Sequence, residues 1–201
     1  MHPILQSSLD TPTGQFWNSL DRNKVEEAIL TNASKTGFVP IRFDALFPES
    51  CDIVLDFGCG VGRNINIIKK KFGAYDKYIG YDLPGMLSLM NVETRCQYDR
   101  TTSDFDLIKA LKPRIIFASL VFQHIPTKIL LDYVRELGQW PCMMYVHSRW
   151  YNDQDKDDVF DLIANSDYFV PSWTSEEVAM LTHPDKDPEL HWSAIFNSYR
   201  A

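Results

Sequence analysis

The chain has 201 residues, 45% of them hydrophobic, with a formal net charge of −7. That is enough apolar material for one substantial core, and no Pro/Gly/Ser-rich linker or internal repeat divides it. The acidic balance argues against a broad phosphate-binding face, so no nucleic-acid partner is expected. No apolar run reaches membrane-spanning length and the N-terminus lacks a signal-peptide core, which predicts a cytoplasmic protein without a membrane partner. Cys51, Cys59, Cys96 and Cys142 have neither CxxC pairing nor metal-ligand spacing, so structural thiols and no metal are expected.

In chain order, residues 1–21, with Pro3, Pro12 and Gly14, have little periodicity and read as an N-terminal arm; residues 22–201 read as a single domain. A short helix over 22–33 is predicted behind an Asp21 cap. The run Ile53, Val54, Leu55 is short and β-rich, a strand leading into glycines at alternate positions, Gly58, Gly60 and Gly62. Val61, Ile65, Ile68 and Phe72 then share one face of a helix that Gly73 can stop. The run Lys69, Lys70, Lys71 reads as a solvated helix end. A second strand over 78–81 ends in Asp82, followed by a turn and a short apolar helix. A third strand is expected at 96–98, before Asp99. Leu107, Ile108 and Leu111 mark a helix ended by Pro113.

The segment RIIFASL at 114–120 is nearly continuous in apolar residues, as a strand covered on both faces should be. The helix over 127–137 is amphipathic and closes at Gly138. A fifth strand over 142–146 is expected to deliver His147, Ser148, Arg149, Trp150 and Tyr151 to the carboxyl edge of the sheet. A further helix follows the acidic stretch 153–158. Residues 168–170 read as a sixth strand, Thr174 with Glu177 as a capping box before a short helix, and 190–196 as a closing, half-exposed strand.

A dinucleotide fingerprint would place its third glycine at position 63, which is Arg63. The pattern present is Asp56-x-Gly58-x-Gly60-x-Gly62, with Asp82 twenty residues on. Together with the segment from Ser119 to His124-Ile125-Pro126, it resembles the class I S-adenosylmethionine (SAM) methyltransferases. The resemblance extends from about residue 22 to the end. It implies an α/β, Rossmann-like, doubly wound sheet of seven strands, mostly parallel with one antiparallel strand, and helices on both faces.

It also implies SAM as cofactor, S-adenosylhomocysteine as product, and methyl transfer to an oxygen or nitrogen of a small molecule. Transfer to RNA or protein, and a non-catalytic SAM-binding scaffold, are the alternatives. On this resemblance Asp56, Gly58, Gly60 and Gly62 form the cofactor loop, Asp82 accepts from the ribose hydroxyls, and Leu83 packs on the adenine. Asp99 accepts from the adenine amino group, with Asp104 second, and Ser119 and Leu120 lie beside the methionine part. The other reading of Asp82 is a cap on the following turn, and that of Asp104 a helix cap.

His124 and His147 are the candidate bases, since imidazole titrates near neutrality; the alternatives are loop ordering for His124 and ordinary burial for His147. Phe16, Trp17 and Phe38 are candidates for a lid over the cofactor or for ordinary packing. Trp150, Tyr151 and Trp173 are candidates for an aromatic acceptor pocket or for core. His183 and His191 form no metal pair. Nothing in the sequence specifies an oligomeric state.

Overall fold

The computed structural model describes residues 2–25, 51–71, 76–150, 153–179 and 189–198. The expectations for residues 26–33, Phe38, Phe72, Gly73, Tyr151 and His183 lie outside these residues, as do those for the side chains of Trp150, Trp173 and His191.

Seven strands form one sheet: β1 (Ile53–Phe57), β2 (Lys77–Tyr81), β3 (Arg100–Thr102), β4 (Ile115–Ser119), β5 (Met143–Trp150), β6 (Phe169–Ala179) and β7 (Glu189–Ser198). Their order is β3-β2-β1-β4-β5-β7-β6. The first five run parallel, and β7 runs antiparallel to both neighbours, giving two antiparallel pairs. Strand order reverses between β1 and β4, and a crevice opens at the carboxyl ends there, where open α/β sheets bind ligands.

Alternate residues of each strand feed opposite cores, which is the period of two written into the sheet. Leu55, Phe57, Ile79, Tyr81, Ile116 and Ala118 pack on α7 (Phe105–Leu111), α8 (Thr127–Leu137) and α9 (Asp153–Ala164). Val54, Tyr78, Ile115, Phe117 and Tyr145 face the other way, onto α4 (Ile65–Lys71) and α5 (Pro84–Leu89). Helices therefore cover both faces. In α8 the predicted stripe of Ile129, Leu130, Tyr133, Val134 and Leu137 is the buried face. No helix among the described residues is long and apolar enough to cross a membrane.

Five local expectations are corrected. Residues 2–18 are not an irregular arm: α1 (Pro3–Leu9) and α2 (Pro12–Asn18) are helices with proline in the first turn and His2 and Thr11 as N-caps. The third strand is Arg100–Thr102, not residues 96–98, because Asn91 caps a helical turn, α6 (Val92–Arg95), that takes up the intervening chain. Thr174 and Glu177 lie inside β6, whose pairing with β7 outweighs the local capping signal. Finally, β5 continues to Trp150 because β7 pairs with it over eight residues, so His147 sits within a strand rather than beyond its end. The same pairing puts β7 between two strands, with Trp192, Ala194, Ile195 and Phe196 all buried rather than half exposed.

The N-terminal helices are pinned across the crevice. Asn18 Oδ1 accepts from Gly85 N at 2.7 Å, and a Cβ on Gly85 would lie 1.9 Å from the Asn18 carbonyl oxygen. The Ser8 hydroxyl lies 3.3 Å from that of Tyr133 on α8. The short α3 (Arg22–Val25) follows, its Lys24 N–H donating to the predicted cap Asp21 at 2.9 Å.

Candidate functional site

A cavity of about 190 Å³ occupies the crevice. Its floor is the loop after β1, with Gly58, Cys59, Gly60, Val61, Arg63 and Asn64. One side is Asp82, Leu83 and Met86 after β2, and another is Ser119, Leu120, Val121, His124, Ile125 and Pro126 after β4. Ser8, Thr11, Gly14 and Trp17 of the N-terminal helices also line it, so of the lid candidates Trp17 is at the cavity while Phe16 is 55% exposed.

The loop turns through three left-handed glycines, Gly58 (φ 73°), Gly60 (φ 56°) and Gly62 (φ 86°), a conformation that an L side chain adopts only at a cost. Four of its amides are spent internally. Gly58 N and Cys59 N both donate to the Tyr81 carbonyl, at 2.8 and 3.1 Å, and Gly62 N donates to the Cys59 carbonyl at 2.8 Å. Gly60 N donates to Asp82 Oδ2 at 2.6 Å. A pyrophosphate cradle needs such N–H groups aimed outward, and these four point back into the protein. At Gly60 a Cβ would meet only Met86 Cε, at 3.6 Å, so main chain is bared to the cavity there. At Gly62 a Cβ would run into Thr94 of α6, and Gly62 is not part of the cavity wall.

Asp82 ties two segments together. Besides Gly60 N, its carboxylate accepts from Leu83 N at 2.7 Å through Oδ1, so the turn-capping reading describes the contacts seen. A carboxylate has about four lone-pair sites, so two remain for a ligand's donors. Burial raises its pKa from 3.8 to about 6, against the lowering effect of the Gly60 and Leu83 bonds.

Asp56 stands behind the loop rather than in the cavity wall and is 2% exposed. Tyr98, absent from the sequence-based candidates, donates its hydroxyl to Asp56 Oδ2 at 2.7 Å. Burial lifts Asp56 from 3.8 to about 6; Tyr98 opposes the shift, Asp82 adds to it, and Arg63 and Asn64 oppose it. Because this folded-state pKa lies above the unfolded one, its contribution to stability is full below about pH 4 and is lost as pH rises through about 6, a total of roughly 3 kcal/mol. Asp56→Asn should therefore gain stability relative to the parent as pH is raised from 4.5 to 7.5. Melting curves of both proteins across that range check this, and a constant difference would contradict it.

Three further candidates are placed elsewhere. Asp99 accepts from Tyr78 N at 2.7 Å, at the amino end of β2, across the sheet from the cavity. The reason is the shift of β3: with the strand starting at Arg100, Asp99 precedes it instead of following it. The second choice, Asp104, caps α7 by accepting from Asp106 N and Leu107 N and is likewise outside the cavity wall. His147 is 4% exposed and lies behind Ser119, with Nδ1 3.2 Å from Ser119 Oγ and its carbonyl accepting from Leu120 N at 2.7 Å. It holds the cavity residues Ser119 and Leu120 in place, the latter at φ 58°.

His124 does reach the cavity, its ring 5.1 Å from that of Trp17. The Ser148 hydroxyl donates to Gln123 Oε1 at 3.0 Å, which turns the Gln123 amide nitrogen toward His124 Nε2 at 3.3 Å. An amide nitrogen only donates, so Nε2 is the acceptor in this contact. Nε2 is thus engaged within the loop, in keeping with the loop-ordering reading.

The sequence reading missed Arg63, Asn64, Met86, Val121, Ser8 and Tyr133 as cavity residues. Arg63 and Asn64 carried a signal, two polar residues between the glycine loop and an apolar helix. Ser8 and Tyr133 carried none, being brought together across 125 positions.

No family model and no curated protein matches the sequence. Solved structures do resemble it. A SAM-dependent methyltransferase from Aquifex aeolicus superposes with a TM-score of 0.53 at 14% identity, over 88% of this chain and 99% of its own. A structure from work on conversion of a disulfide bond into a thioacetal group in echinomycin biosynthesis gives 0.54 at 13% identity, over 74% of this chain and 75% of its own. A fibrillarin/Nop5p complex gives 0.50 at 10% identity, over 77% and 75%. With its strand order, reversed β7 and crevice at the β1/β4 switch, the chain has the fold of the class I SAM-dependent methyltransferases.

Proposed function

We propose that the protein is a SAM-dependent methyltransferase acting on an oxygen or nitrogen of a small molecule. The observation that carries the cofactor half is the glycine loop: it bares main chain at Gly60 but turns the N–H groups of Gly58, Cys59, Gly60 and Gly62 inward. Such a loop suits a nucleoside without phosphates and is poorly made for a pyrophosphate. Asp82 offers remaining acceptor sites for two ribose hydroxyls, Leu83 and Met86 an apolar wall for a base, and Ser119 and Leu120 the facing side.

SAM supplies an electrophilic methyl group on a sulfonium, whose leaving group departs as a neutral thioether. The chain's own contribution is then chiefly placement, a term that can reach roughly 7 to 11 kcal/mol for well-aligned partners. His147 fixes Ser119 and Leu120, and Gln123 fixes His124. The N-terminal helices wall one side of the cavity through Ser8, Thr11, Gly14 and Trp17. The small-molecule half rests on the net charge of −7 and on Trp17, Ile125, Pro126 and Tyr133 in the cavity lining.

SAM or S-adenosylhomocysteine at about a hundred times its dissociation constant should add roughly 2.7 kcal/mol. For a chain of this size that raises the melting temperature by roughly 5 to 10 °C. NAD and NADP should give no shift. A shift with NAD and none with either sulfur nucleoside would overturn the proposal.

A further inference from the structure

Apart from Ser119, whose hydroxyl pairs with His147, four hydroxyl side chains line the cavity: Ser8, Thr11, Tyr81 and Tyr133. Three of them form a chain whose direction is fixed. Ser8 Oγ donates to the Ile4 carbonyl at 2.9 Å, and a hydroxyl has a single proton, so in its 3.3 Å contact with Tyr133 it accepts. Tyr133 is thereby the donor to Ser8 and accepts in turn from Tyr81 at 3.0 Å. Burial raises the pKa of both phenols, so both keep the protons that this order needs. The Thr11 proton is also committed, to the Ser8 carbonyl at 2.8 Å, while its oxygen accepts from Gly14 N at 2.9 Å. All four protons thus go to protein acceptors, and what these hydroxyls have left is lone pairs.

A wall of this kind selects what enters. A ligand O–H or N–H completes it, whereas a carboxylate or carbonyl would set lone pair against lone pair and lie desolvated without a donor. The Asp82 carboxylate in the same cavity adds to the exclusion of anions, while Arg63, a basic residue of the lining, acts on Asp56 behind the glycine loop. We propose that the methyl acceptor is an alcohol, phenol or amine that donates its O–H or N–H to the Tyr81–Tyr133–Ser8 chain, and that carboxylates are excluded as acceptors. The inference rests on the methyltransferase reading and narrows its oxygen or nitrogen acceptor to one that brings a proton of its own.

The test is calorimetric titration of phenol, anisole and benzoate into the protein saturated with S-adenosylhomocysteine. Phenol should bind at least about fivefold more tightly than benzoate or than anisole, its methyl ether without a donor. Ser8→Ala removes the end of the chain and frees the Tyr133 proton for the cavity. The preference for phenol over anisole should then fall to within about twofold, with S-adenosylhomocysteine affinity within about twofold of the parent's. Tyr133→Phe frees the Tyr81 proton instead and should do the same. Equal binding of phenol and anisole to the parent, tighter binding of benzoate, binding of none of the three, or a phenol preference that persists in either variant would overturn the proposal. So would a variant that loses S-adenosylhomocysteine but keeps S-inosylhomocysteine, which has a carbonyl in place of the adenine amino group, since the chain would then face the cofactor. If the parent binds no S-adenosylhomocysteine, the methyltransferase reading itself fails, and this proposal with it.

Discussion

Asp82→Ala is expected to lower both the melting temperature of the ligand-free protein and its affinity for S-adenosylhomocysteine. An acid waiting in an open cleft would contribute little to folding, but Asp82 already receives Gly60 N and Leu83 N. Hydrogen bonds to a charged group contribute roughly 1.5 to 3 kcal/mol each, and the cost of burying the carboxylate offsets part of that. The Tyr81 carbonyl still holds Gly58 and Cys59 in the variant, so the loop is loosened at one end only. A net loss of about 2 kcal/mol corresponds to a fall of roughly 4 to 8 °C. Binding should weaken by at least about tenfold, because the ribose acceptors go and the loop that carries the rest of the site shifts. Asp82→Asn keeps one oxygen acceptor and should fall between the two. A variant with unchanged melting and unchanged affinity would remove Asp82 from both roles.

The parts of the fold that were legible in the sequence are those fixed by local period. The β1-loop-α4-β2 unit, the apolar β4 and the stripe on α8 carry their own burial pattern, and each appears in its predicted place, except that α4 begins at Ile65 and leaves Val61, expected on its face, in the loop and the cavity wall. Pro3 and Pro12 were legible too, but as helix starts: each follows a residue whose side chain caps the turn, the setting in which proline favours a helix. What was not legible depended on partners distant in sequence. The extension of β5 past Val146, and with it the burial of His147, is set by β7, some fifty residues later. The strand reading of Thr174 and Glu177 has the same source. Asp99 shows how finely a site depends on such shifts: moving β3 a few residues along the chain carries the acid from the carboxyl edge of the sheet to the amino edge.

The three loop glycines look alike in sequence, yet their substitutions should separate. A Cβ on Gly58 would lie 2.6 Å from Val121 Cβ and 2.4 Å from its Cγ2, contacts that a side-chain rotation cannot relieve, and φ is 73°. Gly58→Ala should cost about 2 to 5 kcal/mol, combining left-handed strain with overpacking. Because Val121 lines the cavity, ligand affinity should fall with it. Gly60→Ala meets only Met86 Cε at 3.6 Å, so only the backbone strain of about 1 to 2 kcal/mol applies, but its methyl group enters the cavity and binding should suffer most in proportion to stability. Gly62→Ala collides at 2.2 Å with Thr94 Cγ2, whereas Thr94 Cβ stands at 3.6 Å. Its defect is therefore packing outside the cavity, and adding Thr94→Ser, which deletes that one methyl group, should restore the overpacking share and leave about 1 to 2 kcal/mol of strain. Melting and S-adenosylhomocysteine calorimetry on the three single variants, each with and without Thr94→Ser, distinguish the cases. Gly62→Ala with Thr94→Ser should bind nearly as the parent does, while neither other variant recovers on adding Thr94→Ser. Rescue of Gly58→Ala by Thr94→Ser, or loss of binding in the Gly62 double variant at full folding, would show that the loop does not divide its work in this way.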